Sequence, residues 1–182
     1  VLSPNPAALS RRSSKFDDFQ TLSLREPNVY FGNGQTDSNI REGITKYGAF
    51  QESTKTVELV PICAAELRDK MASLIELLKA GAYKYRGSER TFHTRFTYSS
   101  IVTTNSAEDI QSECDRLLRE HPEWIGNRNT DRLFLIHAPE SGFDLDDETS
   151  PYYTIKRYLL ERGIPSQMVD TPTVASPDWK DL

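Results

Sequence analysis

The apolar positions of the chain become regular only from about residue 56 onward. Residues 1–25 are polar, rich in Ser, Pro and Arg, and without periodicity, which is typical of a lead-in or linker. Residues 26–55 contain a short strand-like stretch, a turn at 32–34 (GNG) and an irregular unit at 40–50 with two glycines. From 56 to 182 strand-like and helix-like periods alternate, so this segment is predicted to be the folded domain.

Seven elements are predicted in this domain. They are strand 57–62 (VELVPI), helix 64–80, strand 95–103 (RFTYSSIVT), a helix capped by Ser106 with Ile110, Cys114, Leu117 and Leu118 on one face, strand 132–137 (RLFLIH), a helix from Ser150 or Pro151 to Glu161 or Arg162 that Gly163 ends, and strand 166–169. Their order predicts an α/β, Rossmann-like fold, with a mostly parallel sheet of about four strands and helices on both faces. Ligands of such sheets bind outside the carboxyl ends of the strands, where the last helix is predicted to begin.

Charge restricts the kind of ligand that this domain can hold. The formal net charge is −5 and the pI is about 5.3. A free-standing nucleic-acid-binding domain usually has a basic surface, so a phosphate site here must be small and local. No apolar run approaches the ~20 residues that span a bilayer, and no signal peptide is recognisable. Cys63 and Cys114 are predicted to be buried reduced thiols, as expected of a cytoplasmic protein without a membrane partner.

Candidate binding residues cluster on the last helix and the strand after it. Ser150 and Pro151 suit the N-cap and the first helical position, so the helix start offers free N–H groups and a positive dipole end. Tyr152 and Lys156 are four residues apart and share a helix face, which combines a flat ring with a cation. Gln167 returns on the next strand with an amide donor. A nucleotide end would suit this set, although Tyr and Lys at this spacing are also common on an ordinary solvated helix face.

Other polar clusters give weaker indications of chemistry. The loop at 144–148 (DLDDE) lacks the Gly and Glu that an EF-hand loop requires at its sixth and twelfth positions, so a solvated loop is favoured. His93, His121 and His137 have no metal-ligand spacing. We therefore predict neither a catalytic residue nor a metal site within the chain.

Two stretches resemble parts of a known protein family. Residues 150–167 (SPYYTIKRYLLERGIPSQ) resemble the end of the MID domain in prokaryotic Argonaute and PIWI proteins. Residues 26–50 (EPNVYFGNGQTDSNIREGITKYGAF) resemble the linker that precedes MID in that family, with Ala49 in place of the usual proline. The two motifs stand in the family's order and about one MID domain apart, so the resemblance implies a linker element at 26–55 and a MID domain at 56–182.

The resemblance implies that the chain binds the 5′-phosphorylated end of a guide RNA or DNA in guide-directed defence. Tyr152 matches the tyrosine that stacks on the first base, and Lys156 and Gln167 match the phosphate-binding lysine and glutamine. The family's second lysine has no match, because Lys180 comes too early. The resemblance also implies a divalent cation, Mg²⁺ or Mn²⁺, shared with the guide phosphates and not held by this segment alone.

The same resemblance implies a PIWI domain as partner, in the same or an associated chain. The family's nuclease carboxylates lie in PIWI, so this segment is not expected to be an enzyme. Two alternatives stay open from the residues: a Rossmann-like mononucleotide-binding enzyme that uses Lys156, and a domain that docks a protein partner.

Overall fold

The computed structural model describes residues 28–50, 53–82, 85–106, 109–126, 131–138 and 150–176. The strands in these ranges are β1 (Val29–Tyr30), β2 (Thr36–Asp37), β3 (Lys55–Ala64), β4 (Thr94–Thr97), β5 (Val102–Thr104), β6 (Arg132–His137) and β7 (Ser166–Val169). The helices are α1 (Ile40–Tyr47), α2 (Arg68–Ala80), α3 (Ser88–Phe92), α4 (Asp109–Glu120), α5 (Pro151–Glu161) and α6 (Thr171–Ala175). The predicted lead-in at 1–25 and the acidic loop at 144–148 lie outside the described residues.

Strands β3 to β7 form one parallel sheet in the order β4-β3-β6-β7, and β5 pairs with β3 beyond β4. The predicted α/β class with a mostly parallel sheet is confirmed. The chain moves from β3 to one side and then crosses back to β6 on the other side. The carboxyl ends of β3 and β6 therefore lie at a topological switch point.

The single strand predicted over 95–103 is wrong, because it is divided into β4 and β5, which contact different parts of β3. Lys55 donates its N–H toward the β4 side of β3, and Glu58 donates toward the β6 side. Alternate residues of a strand bond to the same side, so Pro61 faces the β4 and β5 side. Because proline has no N–H, it cannot donate a hydrogen bond to a strand on that side. The gap between the end of β4 and the start of β5 lies opposite this position.

The sheet separates two apolar clusters, one on each face. Alternate side chains of β3 point to opposite faces, so Val60 and Ile62 enter the first cluster and Leu59 and Cys63 the second. The first cluster includes buried residues of α4 and α5, and the second includes buried residues of α2 and α6. Helix α5 thus packs on the same face as α4, with Ile155 and Leu159 as its buried contacts.

The segment before the sheet is more regular than its sequence predicts. Strands β1 and β2 form a short antiparallel pair, and the unit predicted to be irregular at 40–50 is helix α1 over most of its length. Asn39 caps this helix by accepting the N–H of Glu42 at 3.2 Å. Gly43 lies against Phe31, whose ring would be 2.2 Å from a Cβ at position 43. The second glycine, Gly48, ends the helix. The missed signal is the Asn–x–x–Glu spacing of a capped helix start.

Both cysteines are free and buried, as predicted. Burial raises the pKa of the Cys63 thiol to about 11 and that of Cys114 to about 12. None of the helices in the described ranges is both long and apolar enough to cross a membrane.

Candidate functional site

Helix α5 begins where the sequence predicts, at the carboxyl edge of the sheet. Ser150 occupies the N-cap position and Pro151 the first helical position. The Ser150 carbonyl accepts the N–H of Thr154 at 3.0 Å, but its side chain makes no capping hydrogen bond. The Ser150 hydroxyl oxygen is buried and has no hydrogen-bond partner among the described residues. Gly163, with a φ of 71°, ends the helix and turns the chain into β7.

Lys156 extends from α5 to the free edge of β7. Its ammonium donates a hydrogen bond to the carbonyl oxygen of Ser166. The side chain is half-buried, and this burial lowers the pKa of the Lys156 ammonium. Within the described ranges no carboxylate lies within ion-pair distance of Lys156. A partly desolvated cation without an anionic partner can bind an anion at a reduced cost, because part of its own desolvation precedes the arrival of the anion.

Among the described residues, no other strand covers the edge of β7 that Lys156 reaches. The carbonyls of Pro165 and Val169 accept hydrogen bonds from β6, at 3.0 and 2.9 Å. The carbonyls of Ser166 and Met168 stand at the alternate positions and therefore face away from β6. They are two residues apart, or about 7 Å along the strand.

Gln167 lies at the same edge as Lys156. Its side-chain amide nitrogen donates to the Met168 carbonyl at 2.9 Å. Gln167 is in register with Leu135, which belongs to the cluster on the α2 and α6 face, whereas Lys156 comes from α5 on the opposite face. The two donors therefore approach the free edge of β7 from opposite faces of the sheet, and each one is engaged by an outward carbonyl of that strand.

Tyr152 has a different environment from Lys156. Its ring is half-buried, packs against the first apolar cluster, and meets the Tyr153 ring edge to face, with centroids 5.3 Å apart and an interplanar angle of 85°. Tyr152 stands three residues before buried Ile155, and this spacing in the sequence already places its ring on the packed side of the helix.

A depression of about 450 Å³ opens between α5 and β7, beside Lys156. Its walls include Tyr153, Arg157 and Leu160 from the helix, and Ile164 and Pro165 from the turn into β7. Tyr152 and Gln167 are not part of its walls. We refer to this depression as the α5–β7 groove. Tyr153 and Arg157 were not singled out in the sequence, although they repeat the four-residue spacing of Tyr152 and Lys156.

The described residues offer no set of metal ligands near this groove or elsewhere. Among them, no group of three or more His, Cys, Asp or Glu side chains is placed to hold a metal ion. His137, at the carboxyl end of β6, contacts the Thr171 hydroxyl through Nε2 at 3.0 Å. Its Nδ1 is buried and has no partner within the described part of the chain.

Comparisons with known proteins show a likeness among solved structures. No family model matches the chain. No curated protein matches it either. Among solved structures, the chain is similar to Clostridium butyricum Argonaute bound to a guide DNA with a 5′ deoxycytidine and to a 19-mer target DNA. The TM-score is 0.50 and the identity 19%, over 88% of this chain and 21% of that one. The chain therefore has an Argonaute-like fold and spans about a fifth of the length of that neighbour.

Proposed function

We propose that this chain is the MID part of an Argonaute-like protein and binds the 5′-phosphorylated end of a guide RNA or DNA. The observation that carries the proposal is the position of Lys156. Its ammonium is partly desolvated, has no carboxylate partner in the described ranges, and lies on an edge of β7 that no described strand covers and that the Gln167 amide reaches from the opposite face. The fold likeness to an Argonaute supports the same assignment.

A terminal phosphate would replace two internal hydrogen bonds at this edge. Lys156 would exchange the Ser166 carbonyl for a phosphate oxygen, and Gln167 would exchange the Met168 carbonyl for another. A phosphate oxygen is the better acceptor for both donors, because it carries negative charge and a backbone carbonyl oxygen does not. Binding in this way recognises the end of a strand and not its sequence, because no base edge is contacted.

The aromatic contact in this proposal comes from Tyr152, whose ring would stack on the first base. Stacking one base on an aromatic ring contributes on the order of 1–3 kcal/mol. Because the Tyr152 ring packs against the core in the described structure, it would have to turn outward on binding.

The proposal assigns binding of the guide strand to this chain and assigns any nuclease activity to a PIWI domain. A divalent cation, if the complex uses one, would be held by guide phosphates and by groups outside this chain, because the groove offers no carboxylate among the described residues. For this chain alone, we expect EDTA to leave oligonucleotide affinity unchanged.

The test compares 5′-phosphorylated and 5′-hydroxyl oligonucleotides of one sequence by fluorescence polarisation, with the label at the 3′ end. We expect the phosphorylated strand to bind at least tenfold more tightly. The variant Lys156→Met removes the charge but keeps the packed stem, and should abolish the difference. Lys70→Met removes a lysine from the exposed side of α2, on the other face of the sheet, and should preserve it. Equal affinity of the wild-type chain for the two strands would refute the proposal, whereas turnover of a free mononucleotide would favour an enzyme.

A further inference from the structure

The α5–β7 groove continues beyond Lys156 along residues that the proposed end-binding set does not use. Tyr153 and Arg157 are four residues apart, so they project from one face of α5. Each follows Tyr152 or Lys156 by one position and is therefore turned by about 100° around the helix. That rotation carries Tyr153 and Arg157 away from the core and into the wall of the groove.

The floor of the groove is apolar and open to solvent. Leu160 is 77% exposed, although its neighbour Leu159 is completely buried. Leu160 lines the groove together with Pro165 and with Ile164, which is 4% exposed. An exposed apolar surface next to an aromatic ring suits the flat face of a base.

The groove is positively charged, although the chain as a whole has a negative net charge. The whole sequence has a net charge of −5, yet Lys156 and Arg157 lie side by side here. No described carboxylate lies within ion-pair distance of either side chain. Two adjacent cations without anionic partners, beside a ring and an apolar floor, are complementary to consecutive nucleotides of a single strand.

We propose that the α5–β7 groove is a second contact for the bound strand, distinct from the contact with its terminal phosphate. Arg157 pairs with the backbone phosphate that follows the terminal one, and Tyr153 with Leu160 supports the base between them. This inference rests on the proposed function, since it takes the terminal phosphate to lie at Lys156. It adds a length dependence, because a mononucleotide cannot reach Arg157 with a second phosphate.

The experiment measures affinity for a 5′-phosphorylated single-stranded 10-mer and for the matching mononucleoside 5′-phosphate, the latter by competition. Arg157→Ala and Tyr153→Ala should each weaken binding of the 10-mer about tenfold, the loss expected for one stacking or charge-assisted contact. Binding of the mononucleotide should stay within about twofold in Arg157→Ala, because Arg157 is not part of the proposed end-binding set. Tyr153→Ala also removes the ring contact with Tyr152, so only its effect on the 10-mer is used. Tyr153→Phe keeps the ring and should bind as the wild-type chain does. The slope of log affinity against log salt should fall by about 0.7 for Arg157→Ala, as for one single-strand phosphate contact.

Matched controls lie at the far edge of the sheet and in the preceding segment. Arg90→Ala removes an exposed arginine from α3, beside β4, and Tyr30→Ala removes a tyrosine that is 65% exposed. Neither control should change the affinity for the 10-mer. Melting temperatures equal to that of the wild-type chain will show that each variant is folded.

Two results would overturn the second contact. One is an unchanged affinity for the 10-mer in both alanine variants, and the other is an equal loss for the 10-mer and the mononucleotide in Arg157→Ala. Displacement of the 10-mer by poly-glutamate as effectively as by unlabelled DNA would also overturn it, in favour of an acidic peptide. If the wild-type chain shows no preference for a 5′-phosphate while Arg157→Ala still weakens the 10-mer, the end-binding function fails and the groove contact stands.

Discussion

The rotation of helix α5 about its axis decides which side chains reach β7, and a pair of neighbouring leucines tests it. Leu159 is completely buried in the cluster between α5 and the sheet, whereas Leu160 is 77% exposed. Replacement of either residue by Ala removes the same three carbon atoms from the same helix. The two variants therefore differ in their environment and hardly at all in helix propensity.

The magnitudes follow from burial. Three buried carbons at about 0.8 kcal/mol each contribute about 2.4 kcal/mol, and the cavity left behind raises the expected loss for Leu159→Ala to about 3–4 kcal/mol. For a chain of this size, that loss lowers the melting temperature by roughly 6–16 °C. Leu160→Ala should change stability by less than about 0.5 kcal/mol.

Urea unfolding followed by circular dichroism at 25 °C, together with calorimetry, measures both variants. Equal losses for Leu159→Ala and Leu160→Ala, or a larger loss for Leu160→Ala, would show that α5 is turned about its axis from the described position. Lys156 would then face away from β7, and the geometry of the proposed site would be refuted.

Two further predictions concern buried titratable groups. Burial is the main cause that lowers the pKa of His137, against the opposing effects of Glu66 and Asp170. The folded chain thus prefers neutral His137, so its contribution to stability is complete above the unfolded pKa of about 6.5 and is lost as the pH falls below it. The melting temperature should fall more between pH 7.5 and pH 5 in the wild-type chain than in His137→Gln, and parallel pH profiles would contradict this. Because the pKa values of Cys63 and Cys114 are raised to about 11 and about 12, neither thiol should react with a disulfide reagent at pH 8 until urea unfolds the chain; stoichiometric reaction in native buffer would contradict their burial.

The preceding segment also bears on the likeness to Argonaute. The structural match covers 88% of the chain, which is more than the sheet and its helices from residue 55 onward. Contacts link α1 to α3 beside the sheet, and the Gly32 N–H donates to the Gly48 carbonyl at 3.2 Å to close the segment on itself. The described part of this segment, 28–50, therefore includes a helix that packs beside the sheet.

Local sequence determined the elements that have local causes. The alternation of strand and helix periods, Pro151 at the start of α5 and Gly163 at its end each act within a few residues, so the α/β class and the position of α5 could be predicted. The structure places the Lys156 ammonium at Ser166, the first residue of β7, and not at the carboxyl edge of the sheet where the helix begins. The site residues Tyr152, Lys156 and Gln167 stay predictions until the binding experiments are made.

Only the tertiary structure decided features that depend on a distant partner. Pro61 interrupts pairing on one side of β3 alone, and which strand lies on that side is set by long-range pairing, so the division into β4 and β5 was not predicted. Tyr152 and Lys156 are four residues apart, and so are Tyr153 and Arg157, so the spacing alone does not show which tyrosine faces the groove. The burial of Leu159 against the sheet selects one rotation of α5, and that rotation turns Tyr152 toward the core and Tyr153 toward the groove.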